Sequence, residues 1–162
     1  MNLDKLKEQI ERIKDHKSRL EYFVNKFNKI ILIGNGGSNA IASHISQDYT
    51  KVLHKKAISF SDPSRLTCYI NDYGRDNAYS EFLDDFAEKD TLVILISSSG
   101  NSMNIVNAAK YCEDNSIKYC AISGFSEDNK LNSMNADVKF WVDSTDYGIV
   151  ECTHQAYLHS IL

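Results

Sequence analysis

The sequence is poor in proline and has neither a long apolar run nor an excess of positive charge. Pro63 is the only proline, so helices and strands elsewhere are free of proline breaks. No run approaches the ~18 apolar residues that a membrane-spanning helix needs. The formal net charge is −4, which argues against a general nucleic-acid or acidic-membrane surface. The four cysteines, Cys68, Cys112, Cys120 and Cys152, show no CxxC spacing. They are expected as free thiols that mainly pack. There is no internal repeat, low-complexity segment or linker. The first residues, Met1 to Glu8, read as polar and helical rather than as a signal peptide.

Two nucleotide fingerprints are also missing. In G-x-G-x-x-G, a third glycine after Gly34 and Gly36 would fall at Asn39. Phe60 ends the next strand, where a ribose-binding acid would stand. The phosphate loop G-x-x-x-x-G-K-[ST] occurs nowhere.

What is present is an ordinary globular chain of 162 residues, 43% apolar and 25% charged. Leu3, Leu6, Ile10, Ile13, Leu20, Phe23 and Val24 recur at helical spacing, predicting one amphipathic helix over 3–27. Short apolar runs at 29–33, 57–60, 91–96, 117–122 and 137–142 read as strands. Helical segments are expected at 38–51, 79–87, 102–115 and from 149 to the end, with a turn-rich stretch after Pro63. Strands alternating with helices predict an α/β domain with a five-stranded parallel sheet covered on both faces, a three-layer flavodoxin-like or Rossmann-like sandwich. The whole chain is expected to be one domain, with the N-terminal helix over 1–27 and the α/β core over 28–162.

Two loops follow strands and precede helices. Gly34-Asn35-Gly36-Gly37-Ser38 follows Ile30 to Ile33, and Ser97-Ser98-Ser99-Gly100-Asn101-Ser102 follows Leu92 to Ile96. A small-residue loop at a helix start presents backbone N–H groups to an anion. Hydroxyls are plentiful and cations absent, which suggests a small phosphorylated polyol. Against this, the first loop alone can be a tight turn, and Ser102 alone can be a helix cap.

His44 and Asp48 lie four residues apart on one predicted helix and share a face. That is a metal-ligand or acid/base arrangement, or an exposed ion pair. Glu151 and His159, eight apart, can share a face of the last helix. His154 is a supporting or structural residue, and His16 and His54 read as solvated. Asn71-Asp72-Tyr73-Gly74 is good turn chemistry.

In this order, GNGGS, His44, Asn-Asp-Tyr-Gly, SSSGNS and His159 resemble a sugar isomerase (SIS) domain, and in particular the phosphoheptose isomerases. The similarity runs from about Lys29 to the C-terminus. The resemblance implies interconversion of sedoheptulose 7-phosphate and a heptose 7-phosphate through an enediol(ate), feeding heptose synthesis for lipopolysaccharide or capsule. It implies a cytoplasmic homotetramer with sites between subunits, no nucleic-acid or membrane partner, and a divalent metal, zinc being expected. His44, Asp48, Glu151 and His159 fall on the family's metal-ligand positions, and Asp48 with His159 on its acid/base pair. Ser97, Ser98, Ser99 and Ser102 are expected to hold the phosphate. Asn35, Gly36, Gly37 and Ser38 would meet the sugar or phosphate, as would Asp48 and Glu151, and Asn71 and Asp72 the sugar hydroxyls. Metal and acid/base roles compete for the same side chains.

The chain departs from that pattern in places. Asp48 stands where the family usually has Glu, and Glu151 where it has Gln, which adds a carboxylate. Lys51, Lys55 and Lys56 occupy a shortened stretch where arginines are usual, and Gly148 replaces an acid. The N-terminal helical region is shorter by about one helix, and the chain stops soon after His159. A non-catalytic SIS protein that binds a phosphosugar or regulates a partner is the competing expectation. An etherase or amino-sugar isomerase fits the histidine-acid pairs poorly.

Overall fold

The five strands of the chain form one parallel sheet in the order β2-β1-β3-β4-β5. They span Lys56–Ser59 (β2), Lys29–Gly34 (β1), Thr91–Ser97 (β3), Lys118–Ser123 (β4) and Val138–Trp141 (β5). A computed structural model describes all residues 1–162. Every residue of β3, and all of β1 after Lys29, is buried, as expected of central strands in a sheet covered on both faces. Edge strand β2 alternates between exposed and half-buried positions.

Side chains alternate across the sheet and feed two cores. Ile30, Leu32, Ile94, Ile122 and Phe140 face three helices: α2 (Ile13–Lys26), α3 (Gly36–Lys51) and α8 (Tyr147–His159). Ile31, Ile33, Val93, Leu95 and Ala121 face α5 (Ala78–Phe86) and α6 (Met103–Asp114). The sandwich matches the expected architecture. None of its helices is long and apolar enough to cross a membrane. All four cysteines are free; Cys112 and Cys120 are buried, and Cys68 and Cys152 are exposed.

Three local expectations are corrected. The N-terminal segment is two helices, α1 (Leu3–Glu11) and α2, separated at Arg12. Gln9 is buried at the junction, where its Oε1 accepts from Arg12 Nη1 at 2.8 Å and from the Asp143 backbone N–H at 2.9 Å. That anchor lets α1 follow α8 while α2 turns onto the sheet. The stretch after Pro63 is a helix, α4 (Pro63–Tyr73): Asp62 caps it by accepting from Arg65 N, and Pro63 occupies the first turn. Asn71 to Tyr73 is therefore its last turn, closed by Gly74 at φ +78°. A short helix, α7 (Lys130–Ser133), follows β4. His16 is half-buried, its ring edge-on to Phe140 at 5.5 Å, whereas His54 is exposed.

Candidate active site

The strand order reverses between β1 and β3, and ligands of such sheets sit at that switch, beyond the carboxyl ends of the strands. Both small-residue loops lie there. Asn35 is the N-cap of α3, so Gly36, Gly37 and Ser38 form its first turn and their N–H groups have no intrahelical partner. Gly36 takes φ +50°, a conformation that favours glycine. At the end of β3, Ser102 is the N-cap of α6, but its side chain makes no capping bond. The Ser98 hydroxyl is buried without a partner. Two helix N-termini and free hydroxyls thus converge on a cleft of about 210 Å³. Asn35, Gly36, Gly37, Ser38, Ser97, Ser98, Ser99, Ser102, Tyr147 and Glu151 line it. No lysine, arginine or histidine is among them.

The two loops are tied to each other. Asn35 Nδ2 donates to Asn104 Oδ1 at 3.0 Å, and Asn104 Nδ2 donates back to Asn35 Oδ1 at 2.9 Å. The buried Tyr79 hydroxyl lies 2.8 Å from Asn35 Oδ1 and 2.9 Å from the Gly34 carbonyl. Burial pushes this phenol up to about 12, so it stays protonated and a donor. The Asn35 amide is thereby occupied in holding the loops in register. Neither Tyr79 nor Asn104 stands out in the sequence.

A second cleft, about 350 Å³, adjoins the first and shares Gly37 and Glu151 with it; His44, Cys152 and Gln155 also line it. Beyond it, α3 and α8 bring His44, Asp48 and His159 together, with one ligand atom of each within 4.8 Å of the others. Asp48 Oδ2 lies 3.4 Å from His44 Nε2 and 3.0 Å from His159 Nε2. The two rings stand edge-on with centroids 5.2 Å apart. Two imidazole nitrogens and a carboxylate oxygen brought this close are a donor set that suits zinc or a similar divalent ion.

Glu151 is not part of that trio. A Cβ on Gly37 would lie 2.5 Å from Glu151 Oε1, so the carboxylate rests against the start of α3, between the two clefts. A helix N-terminus stabilises an anion there. Asn71 and Asp72 line neither cleft. They sit on exposed α4, where Asn71 Nδ2 donates to Asp72 Oδ1.

His154 holds α8 in place. It is fully buried, and its Nε2–H donates to the Ser123 carbonyl at 2.9 Å. Burial lowers its pKa from 6.5 to about 4. The unfolded chain takes up this proton below about 6.5, whereas the folded chain refuses it until about 4. The stabilisation is therefore complete above pH 6.5 and is lost as the pH falls towards 4. Each pH unit in that window removes up to about 1.4 kcal/mol. Urea unfolding between pH 7 and 4.5 should show this slope in the natural chain and a shallower one in His154→Gln.

Comparison with known proteins agrees with this geometry. The family model for the SIS domain matches residues 3–124. The phosphoheptose isomerase of Fusobacterium nucleatum subsp. nucleatum is 31% identical over 164 residues, covering 97% of this chain and 84% of that relative. That of Aliarcobacter butzleri is 36% identical over 141 residues, covering 83% and 73%. The solved phosphoheptose isomerase from Neisseria gonorrhoeae superimposes with a TM-score of 0.90 at 23% identity, over 98% of this chain and 89% of that one, which shows the shared fold.

Proposed function

Because the chain belongs to the SIS domain family, and within it to the phosphoheptose isomerases, we propose that it interconverts sedoheptulose 7-phosphate and an aldoheptose 7-phosphate. It is an isomerase of phosphosugars. The observation that carries the reading is the run of adjoining sites: an anion cradle at two helix N-termini, then Glu151, then the His44–Asp48–His159 trio.

In this reading the first-turn N–H groups of α3 and α6, with the hydroxyls of Ser97, Ser98, Ser99 and Ser102, hold the phosphate. The lack of a cation suits a dianion held by dipoles and hydroxyls. The carbon chain runs past Glu151, which accepts from its hydroxyls, towards the trio. Asp48 Oδ2 is engaged by both imidazoles, which leaves Oδ1 to take the proton from C1 of the ketose. His159 moves the proton between the two oxygens of the enediol, and Asp48 returns a proton to C2. His44, Asp48 and His159 are the residues that would hold a divalent ion, with zinc the best fit to their donors. When bound, such an ion would stabilise the negative charge developing on the substrate oxygen.

The site is completed by further copies of the chain, as a tetramer, and the enzyme works in the cytoplasm, supplying heptose for surface polysaccharide. Support for shared sites comes from α4: none of its residues is buried, it exposes Ile70 and Tyr73, and it carries Asn71 and Asp72 away from its own cleft.

Incubation with sedoheptulose 7-phosphate, followed by NMR, should give an aldoheptose phosphate. A chelator should suppress the reaction and added zinc restore it. No product under either condition would remove the heptose assignment.

A further inference from the structure

Among the residues lining the phosphate cleft, Tyr147 is the one with a large apolar surface. It is the first residue of α8, and 60% of it is exposed although it lines the cleft. Its position is defined by a neighbour. The Phe125 ring meets it edge-on, centroids 4.9 Å apart and planes at 74°. Phe125 is held at φ +58°, a left-handed conformation that costs a bulky residue about 1–2 kcal/mol. Its N–H donates to the Ser144 carbonyl at 3.0 Å, which fixes the loop after β4 against the segment entering α8. A strained phenylalanine thus braces a tyrosine that packing alone would leave free.

Tyr147 and Glu151 are four residues apart on α8 and share a face. Glu151 marks the passage to the second cleft, and Tyr147 lies one turn before it. Tyr147 lines the first cleft and not the second, so it meets the part of a carbon chain that lies nearest the phosphate. A ring face is electron-rich and attracts the slightly positive C–H bonds of a sugar, while the phenol can bond a hydroxyl. We infer that Tyr147, braced by Phe125, is a specificity residue that packs its ring on the carbons of the phosphosugar next to the phosphate. This rests on the isomerase reading for the identity of the sugar, though not for the contact itself.

The test is calorimetric titration of the natural chain, Tyr147→Phe and Tyr147→Ala with two ligands, inorganic phosphate and sedoheptulose 7-phosphate. Tyr147→Ala should bind the phosphosugar roughly five- to tenfold more weakly, the scale of an aromatic contact, and bind phosphate unchanged. Tyr147→Phe should stay close to the natural chain. An unchanged phosphosugar affinity in Tyr147→Ala overturns the proposal, and so does an equal loss for both ligands, which would make the ring a scaffold for the phosphate site. Failure of the natural chain to bind the phosphosugar overturns both readings. Binding that depends on Tyr147 without turnover keeps the contact and removes only the isomerase assignment.

Discussion

Replacing Asp48 with asparagine should lower kcat about 10³-fold, the middle of the range for loss of a general base, and leave KM within a few-fold. The side chain keeps its size, so α3 and the packing beside it are undisturbed. What disappears is the negative charge on the atom that both imidazoles approach, 3.4 Å from His44 and 3.0 Å from His159. Inorganic phosphate should inhibit the variant and the natural chain equally, because the proposed cradle lies at the other end of the connected clefts. A variant that keeps more than a tenth of the natural kcat would show that Asp48 does not take the proton. In that case Glu151 is the carboxylate to replace next.

Gly100→Ala should be the most damaging small substitution in the loop after β3. Gly100 has φ +63°, and an added Cβ would overlap the Asn129 side-chain amide. Asn129 cannot swing away freely. It is 2% exposed, and its Nδ2 donates to the Ser126 carbonyl at 2.7 Å and the Gly124 carbonyl at 3.1 Å. Its Oδ1 accepts from Asn132 N at 2.9 Å. Left-handed strain plus disrupted buried hydrogen bonds should cost about 3–5 kcal/mol. For a chain of this size the melting temperature would drop by about 10 °C. Phosphate affinity should fall as well, since the loop that carries Ser97, Ser98 and Ser99 hangs on this contact. A melting temperature within a degree or two of the natural chain would contradict this account.

The parts that were legible in the sequence share a physical cause. β3, and β1 and β4 beyond their first lysines, are buried on both faces, so each appears as a dense apolar run, and the loops that follow them stand out by contrast. α4 buries no side chain fully, and its apolar positions Leu66, Tyr69, Ile70 and Tyr73 lie between Asp62-Pro63 and Asn71-Asp72-Tyr73-Gly74, two segments with turn chemistry that are in fact a cap with a first turn and a last turn. The break at Arg12 has no local signal; it follows from Gln9 reaching Asp143, far along the chain. The same limit applies at the site. Helical spacing correctly placed His44 and Asp48 on one face. It could put Glu151 and His159 on one side of α8, but it could not say what that side meets. In the structure His159 meets Asp48, whereas Glu151 meets Gly37 in the first turn of α3. The Asn35–Asn104 pair and Tyr79 join three separate elements and were invisible until those elements were assembled.

Turnover in D₂O tests most directly whether Asp48 transfers a proton on a seven-carbon phosphosugar. With sedoheptulose 7-phosphate as substrate, the aldoheptose phosphate should carry solvent deuterium at C2, and Asp48→Asn should form almost none of it. A product with only hydrogen at C2, formed as fast by Asp48→Asn as by the natural chain, would mean that Asp48 carries no proton between the carbons. That result would contradict the assigned role of Asp48.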